Sequence, residues 1–237
     1  MNSALENSLE VERLKTVYHG YAERNFGQSK WSAQNRGNQA IQQEQQRVLV
    51  DLLGQSGFLL LADKQIIDVG CGMGSVLAGF EALGAKPENL FGIDLLPERI
   101  EGAKKRFPAF SFQPGNAESL PFPDKSFDLA LLFTVFSSIL NATMAGNVAR
   151  EIARVLKPGG AIVWYDFRYN NPWNRNVRGM SRQKLRCLFP EFRSHLKTLT
   201  LLPPVARRLG ALTARLYPIL TALPFLRSHY LGILRKA

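Results

Sequence analysis

The order of apolar and polar positions changes character near residue 64. Before it, apolar or aromatic side chains recur at Leu9, Val11, Leu14, Val17, Tyr18 and Tyr21, close to the spacing of one helical face. The polar stretch "GQSKWSAQNRGNQ" reads as a loop, and "AIQQEQQRVLVDLL" resumes a helix that breaks at Gly54. Beyond residue 64, short β-branched or aromatic runs ("QIIDV", "LFGID", "FSFQ", "FDLALLF", "GAIVWYDF") alternate with longer segments. Those segments predict helices over Ser75–Leu83, Pro97–Phe107, Thr143–Leu156 and Ser181–Leu188. Strands that are apolar almost throughout are covered on both faces, so the pattern predicts an α/β fold with a doubly wound, mostly parallel sheet. Pro97 suits a first helical turn. "KPGG", Lys157 to Gly160, stops a helix and turns into the next strand.

After Phe189 the pattern loosens. "HLKTLTLL" and "HYLGILRK" read as strands, and "PPVARRLGALTARLYPILTALP" lies between them. Val205, Leu209, Leu212, Leu216, Ile219 and Leu223 fall on one helical face, which predicts an amphipathic helical insertion near residues 203–224. Pro218 should end or kink that helix. The chain thus divides into a helical N-terminal segment, residues 1–60, and one α/β domain over residues 61–237.

Composition adds little until charge is considered. Hydrophobic residues make up 46% of the 237, enough for a sizeable core and against wholesale disorder. Cys71 and Cys187 form no metal-ligand pattern, and a reduced compartment is the simplest setting. The polar, acidic start "MNSALENSLEVERLK" has no apolar signal region, and no uncharged apolar run reaches the roughly 18 residues of a membrane span. The expectation is a cytoplasmic protein. Charge is uneven: of the net +11, residues 167–237 carry fourteen Lys or Arg against one acid, Glu191. That segment holds +13, which leaves −2 for the rest. Such asymmetry suggests a polyanionic partner or peripheral association with the inner membrane face, the alternative being a solvated basic face. Nucleic acid is disfavoured, since no RNA-binding module is present and the late segment carries a broad apolar face.

Candidate chemistry starts at "QIIDVGCGMGS", residues 65–75. A strand ending in Asp68 and followed by Gly70, Gly72 and Gly74 brings backbone close to a ligand, because glycine reaches positive φ and has no Cβ in the way. In an open parallel sheet, ligands sit at the carboxyl ends of strands where the strand order reverses. A dinucleotide fingerprint wants G-x-G-x-x-G, and Ser75 stands where its last glycine belongs. Asp94 closes the next strand, where a carboxylate accepts hydrogen bonds from ribose hydroxyls. Asp68 reads equally as a cap of the glycine turn, and Asp94 as a helix cap or turn former.

With "GNAESLPF" after the third strand and "EIARVLKPGGAIVWYD" after the fourth, the series resembles the class I S-adenosylmethionine-dependent methyltransferases. It is most similar to the stand-alone bacterial kind called methyltransferase type 11, over about Lys64 to Asp166. The resemblance implies a Rossmann-like, seven-stranded sheet with a helical N-terminal lid and an antiparallel last strand. It implies S-adenosyl-L-methionine as cofactor, its methionine part held by Asp68, Gly70, Gly72 and Gly74. Asp94 then holds the ribose and Leu95 packs under the adenine. Asn116, where the family commonly has Asp, accepts from the adenine amino group with Ala117 behind it, and Phe133 faces the sulfonium.

Methyl transfer from a sulfonium is an in-line displacement, so no one residue type is obligatory for catalysis. In the loop "YDFRYNNPWN", Asp166 is a candidate base that reads equally as the partner of Arg168. His19 on the first helix competes with it, as do His195 and His229 near the late strands. Candidate acceptor contacts are Tyr18, Tyr21, Trp31, Arg168, Asn170 and Asn171, with Trp31, Arg36 and Asn38 as loop or lid material. The expected reaction is methylation of a hydroxyl on a small-molecule, glycan or lipid-linked acceptor. Two alternatives stand beside it. An NAD-dependent oxidoreductase is opposed by Ser75 and by "KPGG", and a catalytically silent adaptor at a membrane surface keeps the fold without turnover.

Overall fold

The computed structural model describes residues 3–23, 32–172 and 174–236. Seven strands form one sheet: β1 (Ile66–Val69), β2 (Leu90–Asp94), β3 (Ser111–Pro114), β4 (Phe127–Phe133), β5 (Leu156–Phe167), β6 (Phe192–Leu201) and β7 (Arg227–Lys236). Their order is β3-β2-β1-β4-β5-β7-β6. β1 to β5 pair in parallel, and β7 runs antiparallel between β5 and β6. This is the Rossmann-like methyltransferase arrangement, with the strand order reversing between β1 and β4.

The helices are α1 (Ser3–Glu23), α2 (Arg36–Gln55), α3 (Ser75–Ala82), α4 (Pro97–Arg106), α5 (Ala142–Val155), α6 (Arg182–Leu188), α7 (Pro203–Arg208) and α8 (Thr213–Thr221). Local chemistry sets their starts: Asn35, Asn141 and Ser181 each accept from a backbone N–H of the first turn, and Pro97 opens α4. Two apolar layers sandwich the sheet. On one side Leu49, Leu52, Leu53, Leu77, Phe80 and Ile100 pack on Ile66, Leu129, Val163 and Leu231. On the other, Met144, Val148 and Ile152 of α5 pack on Ile67, Ala130, Leu132 and Ile162.

Three expectations change. The polar loop stops at Asn35, whose side chain caps α2, so Arg36 and Asn38 are helical. The N-terminal segment is two different things: α1 lies over the carboxyl ends of the strands, whereas α2 is a core helix. Finally, the insertion is no single helix. Gly210, at φ +53°, breaks it between α7 and α8, and Pro218 sits inside α8 without ending it. The buried side of α8 is Thr213, Tyr217 and Thr221, while Leu212, Ile219 and Leu223 of the expected apolar face are exposed.

Candidate active site

A cavity of about 200 Å³ opens at the carboxyl ends of β1, β2, β3 and β4. Of the glycine turn, Gly70 lines it, while Gly72 and Gly74 shape the turn outside the lining. Gly70, Gly72 and Gly74 all have positive φ, at +75°, +54° and +78°. A Cβ on Gly74 would lie 2.7 Å from the Phe112 ring, so both backbone angle and space require glycine there. Gly70 N–H and Cys71 N–H both donate to the Ile93 carbonyl, which ties the turn to β2.

Asp94 closes that knot. Its Oδ2 accepts from Gly72 N at 2.8 Å and its Oδ1 from Leu96 N at 3.0 Å, and the residue lines the cavity. Each carboxylate oxygen offers two acceptor directions, so one on each stays available to a ligand. Leu95, Asn116, Ala117 and Phe133 line the same cavity. The Asn116 carbonyl oxygen accepts from Glu118 N at 3.0 Å, which fixes the side chain at the rim. Asp68 lies beside the turn, outside this lining. It is fully buried, its Oδ2 has no partner, and burial with the nearby Asp94 charge pushes its carboxyl up to about 8.

Helix α1 roofs the cavity with Leu14 and Tyr18. The Tyr18 hydroxyl meets Ser138 Oγ at 2.9 Å, and the Arg99 guanidinium lies 4.5 Å over its ring. Glu10 anchors the helix in a way the sequence did not announce. It accepts from the N–H of Leu140 and Asn141 and forms a two-pronged pair with Arg13. These partners hold its carboxyl below the usual range despite burial. Arg13 also donates to the Ser138 carbonyl, and Asn7 donates to Glu118 across the rim.

Apart from Tyr18, the described candidate bases and acceptor contacts are placed elsewhere. His19 is exposed and bonds Glu98 at 2.7 Å. Asp166 is buried below the loop after β4, accepting from Ser137 N and Phe167 N, each within 2.9 Å. Burial pushes it up to about 6, against those hydrogen bonds. Its expected partner Arg168 instead donates to the carbonyls of Pro224 and Arg227. Asn170 accepts from Gly179 N, and Tyr21 pairs with Asn174. Asn171 accepts on its carbonyl from Asn174 N. Trp31 lies outside the described residues.

His195 is on the outer strand β6, whereas His229 is buried beside the end of β5, its ring stacked 4.7 Å from Tyr165. Ser228 Oγ donates to the Thr200 carbonyl, so the 2.8 Å contact with His229 Nδ1 needs Nδ1 to be the donor. Burial lowers this imidazole to about 3, so it is neutral with a bare Nε2. Among the described residues no group of three His, Cys, Asp or Glu could hold a metal ion, and Cys71 and Cys187 are free.

Comparison with known proteins agrees with this geometry. Residues 67–164 match the family model described as "Methyltransferase domain". Over that stretch the chain is similar to methyltransferase domains. A fatty-acid O-methyltransferase of Mycolicibacterium smegmatis is 36% identical over 127 residues, 52% of this chain and 45% of that protein. The phthiotriol/phenolphthiotriol dimycocerosates methyltransferase of Mycobacterium tuberculosis is 38% identical over 113 residues, 47% and 40% respectively. The chain therefore matches less than half the length of these relatives. An S-adenosylmethionine-dependent methyltransferase structure from Archaeoglobus fulgidus superposes with TM-score 0.57 at 15% identity, covering 81% of this chain and 94% of that one. That likeness supports the fold of the methyltransferase domain.

The residues present fit S-adenosylmethionine as the domain's cofactor. Only glycine suits the turn, Asp94 keeps two acceptor directions at the cavity, and the buried, unpartnered Asp68 oxygen beside the turn calls for a cation. The cofactor's ammonium and sulfonium are both cations.

Proposed function

We propose that this protein methylates an acceptor from S-adenosylmethionine, and that the acceptor is a hydroxyl on a lipid or lipid-linked molecule. The observation that carries the transfer reaction is the cavity at the strand-order reversal, where the glycine turn and Asp94 meet. When bound, the cofactor supplies a methyl group on a positively charged sulfur that leaves as a neutral thioether. The chain's work is positioning and dehydration. Asp94 holds the ribose, Leu95 and Ala117 give apolar walls to the adenine, and Asn116 accepts from its amino group. Asp68 balances the positive charge of the methionine end. Helix α1, through Leu14 and Tyr18, shuts out water, which strengthens each of these interactions.

The lipid class draws its support from the acceptors named for the two mycobacterial relatives, a fatty acid and the phthiotriol dimycocerosates. None of Asp166, His19 and His229 lines the cavity, so none is assigned as the base. A thermal-shift comparison first separates cofactors: S-adenosylhomocysteine should raise the melting temperature and NAD should not. Labelled methyl from S-adenosylmethionine is then followed into a fractionated extract. Label in the lipid pool, absent with Asp94→Ala, is expected. Label confined to nucleic acid, protein or soluble small molecules would refute the lipid acceptor.

A further inference from the structure

The segment between β6 and β7 leaves an unusual surface uncovered. Leu212, Ile219, Leu223 and Phe225 are 54%, 63%, 41% and 65% exposed, and Ala211, Ala214, Pro218 and Ala222 lie exposed among them. Four large apolar side chains within fourteen residues exceed the scattered exposure normal for a protein surface. Their helix is held firmly from beneath. Tyr217 donates to Glu44 at 2.7 Å, and Arg168 and Arg227 tie the neighbouring turn through backbone carbonyls. The outward side chains are therefore presented by a fixed scaffold, not left over from a frayed end.

Charge along the segment itself has one sign. No Asp or Glu follows Glu191, while Arg208 and Arg215 are exposed on the apolar segment itself. A groove of about 780 Å³ runs between α8 and α2, with Ala214, Pro218 and Ala222 on one wall and the exposed Arg36 and Arg47 on the other; its one acid, Glu44, is half-buried and accepts from Thr200 N and the Tyr217 hydroxyl. An apolar dome bordered by the exposed Arg36, Arg47, Arg208 and Arg215 matches an anionic lipid interface: tails for the dome, phosphates for the guanidiniums. A soluble protein partner would be matched by the dome but would not require the arginine border.

Position links the patch to the cavity. β6 ends and β7 begins at the same end of the sheet as the carboxyl end of β5, since Phe167 pairs with His229 and Leu201 with Arg227. The surface of α8 and the cavity mouth thus lie at one end of the molecule. Leu59 and Leu60, also strongly exposed, precede β1 and lie at the other end.

We infer that the outer surface of α8 and the turn after it seats the protein on an anionic lipid bilayer. Leu212, Ile219, Leu223 and Phe225 enter the headgroup–acyl boundary, and the bordering arginines take lipid phosphates. This goes beyond the transfer reaction and is read without catalysis. Full-length protein is floated with vesicles of phosphatidylcholine, or with vesicles in which about one third is phosphatidylglycerol. Strong binding to the second kind, falling with salt, is expected.

Ile219→Glu combined with Phe225→Glu should weaken it by about 100-fold, and Arg208→Glu with Arg215→Glu by about tenfold at low salt. Leu59→Glu with Leu60→Glu should leave it unchanged. All six positions are exposed, and unaltered melting temperatures certify the folds. The inference is overturned by no binding to anionic vesicles, by equal binding to both kinds, or by undiminished binding of the Ile219/Phe225 variant. It is also overturned if light scattering shows that this variant merely splits a dimer that ignores vesicles. S-adenosylhomocysteine affinity and methyl incorporation are measured on the same proteins. Lost flotation with both retained isolates the docking surface, while flotation without methyl transfer counts only against the proposed reaction.

Discussion

Replacing Asp94 by alanine separates two roles that its geometry allows. The carboxylate holds the glycine turn through Gly72 N and the start of α4 through Leu96 N. If that is all it does, the substitution weakens the fold and leaves ligand affinity to follow. Losing the acceptor for two nearly buried N–H groups costs about 1–3 kcal/mol each, less where cavity water replaces it. Part is offset, because the Asp94 charge raises Asp68 and its removal eases that repulsion. The net loss expected is therefore about 1–3 kcal/mol. If the two remaining acceptor directions also hold a ribose, a further two charge-assisted hydrogen bonds disappear, each about 1.5–3 kcal/mol. The dissociation constant should then rise by about 10² to 10⁴. Isothermal titration with S-adenosylhomocysteine, at a temperature where both proteins are folded, reads the second effect, and urea unfolding reads the first. A folded variant whose affinity stays within about threefold of the parent would refute the ribose assignment and leave Asp94 as a clamp of the turn.

Other consequences follow from the same geometry. Gly74→Ala combines an unfavourable φ with a contact at 2.7 Å, and should lower urea stability by about 2–4 kcal/mol; a neutral result would mean the turn is not held as described. Asp68 binds its proton more tightly folded than unfolded, so ligand-free stability should fall as pH rises from about 4 through about 8. Asp166 adds the same slope only up to about 6 and His229 the opposite slope only below 6.5, so between about pH 7 and 8 the fall belongs to Asp68, and its persistence in Asp68→Asn would contradict the assignment. Glu10→Ala should speed amide exchange within residues 3–23 by about 10- to 100-fold while leaving β4 and β5 protected. Equal acceleration in all three would show that α1 is not a separately docked element.

Legibility in the sequence followed the range of the interactions. The glycine turn, strands β1 to β4 and the starts of α5 and α6 depend on residues a few positions apart, and pattern alone located them to within a residue or two. Glu10 reads as a polar interruption on α1, because its partners Leu140 and Asn141 are 130 residues away in the chain. Likewise the stripe from Val205 to Leu223 reads as one apolar face, but it presupposes an unbroken helix. Gly210 ends that continuity, and Glu44 on α2 then draws the Tyr217 side of α8 inward. Pro218 is tolerated within so short a helix, where Thr221 Oγ1 bonds the Tyr217 and Pro218 carbonyls. Distant polar partners, not propensity, chose which side of α8 faces water.

The same distinction explains why the two halves of the site differ in how far they can be read. The cofactor half draws Asp68, the glycines, Asp94 and Asn116 from one continuous stretch whose strand–turn–helix chemistry is local. The described residues expected to touch an acceptor come instead from α1 and the loop after β5, whose partners lie far away in the chain, at Asn174 for Tyr21 and at Pro224 and Arg227 for Arg168. Arg168, Asn170, Tyr21 and Asp166 looked like acceptor ligands because they are polar residues in that loop cluster, yet each makes the contacts that hold the cluster together. A side chain whose hydrogen bonds fix the protein has little left for a substrate.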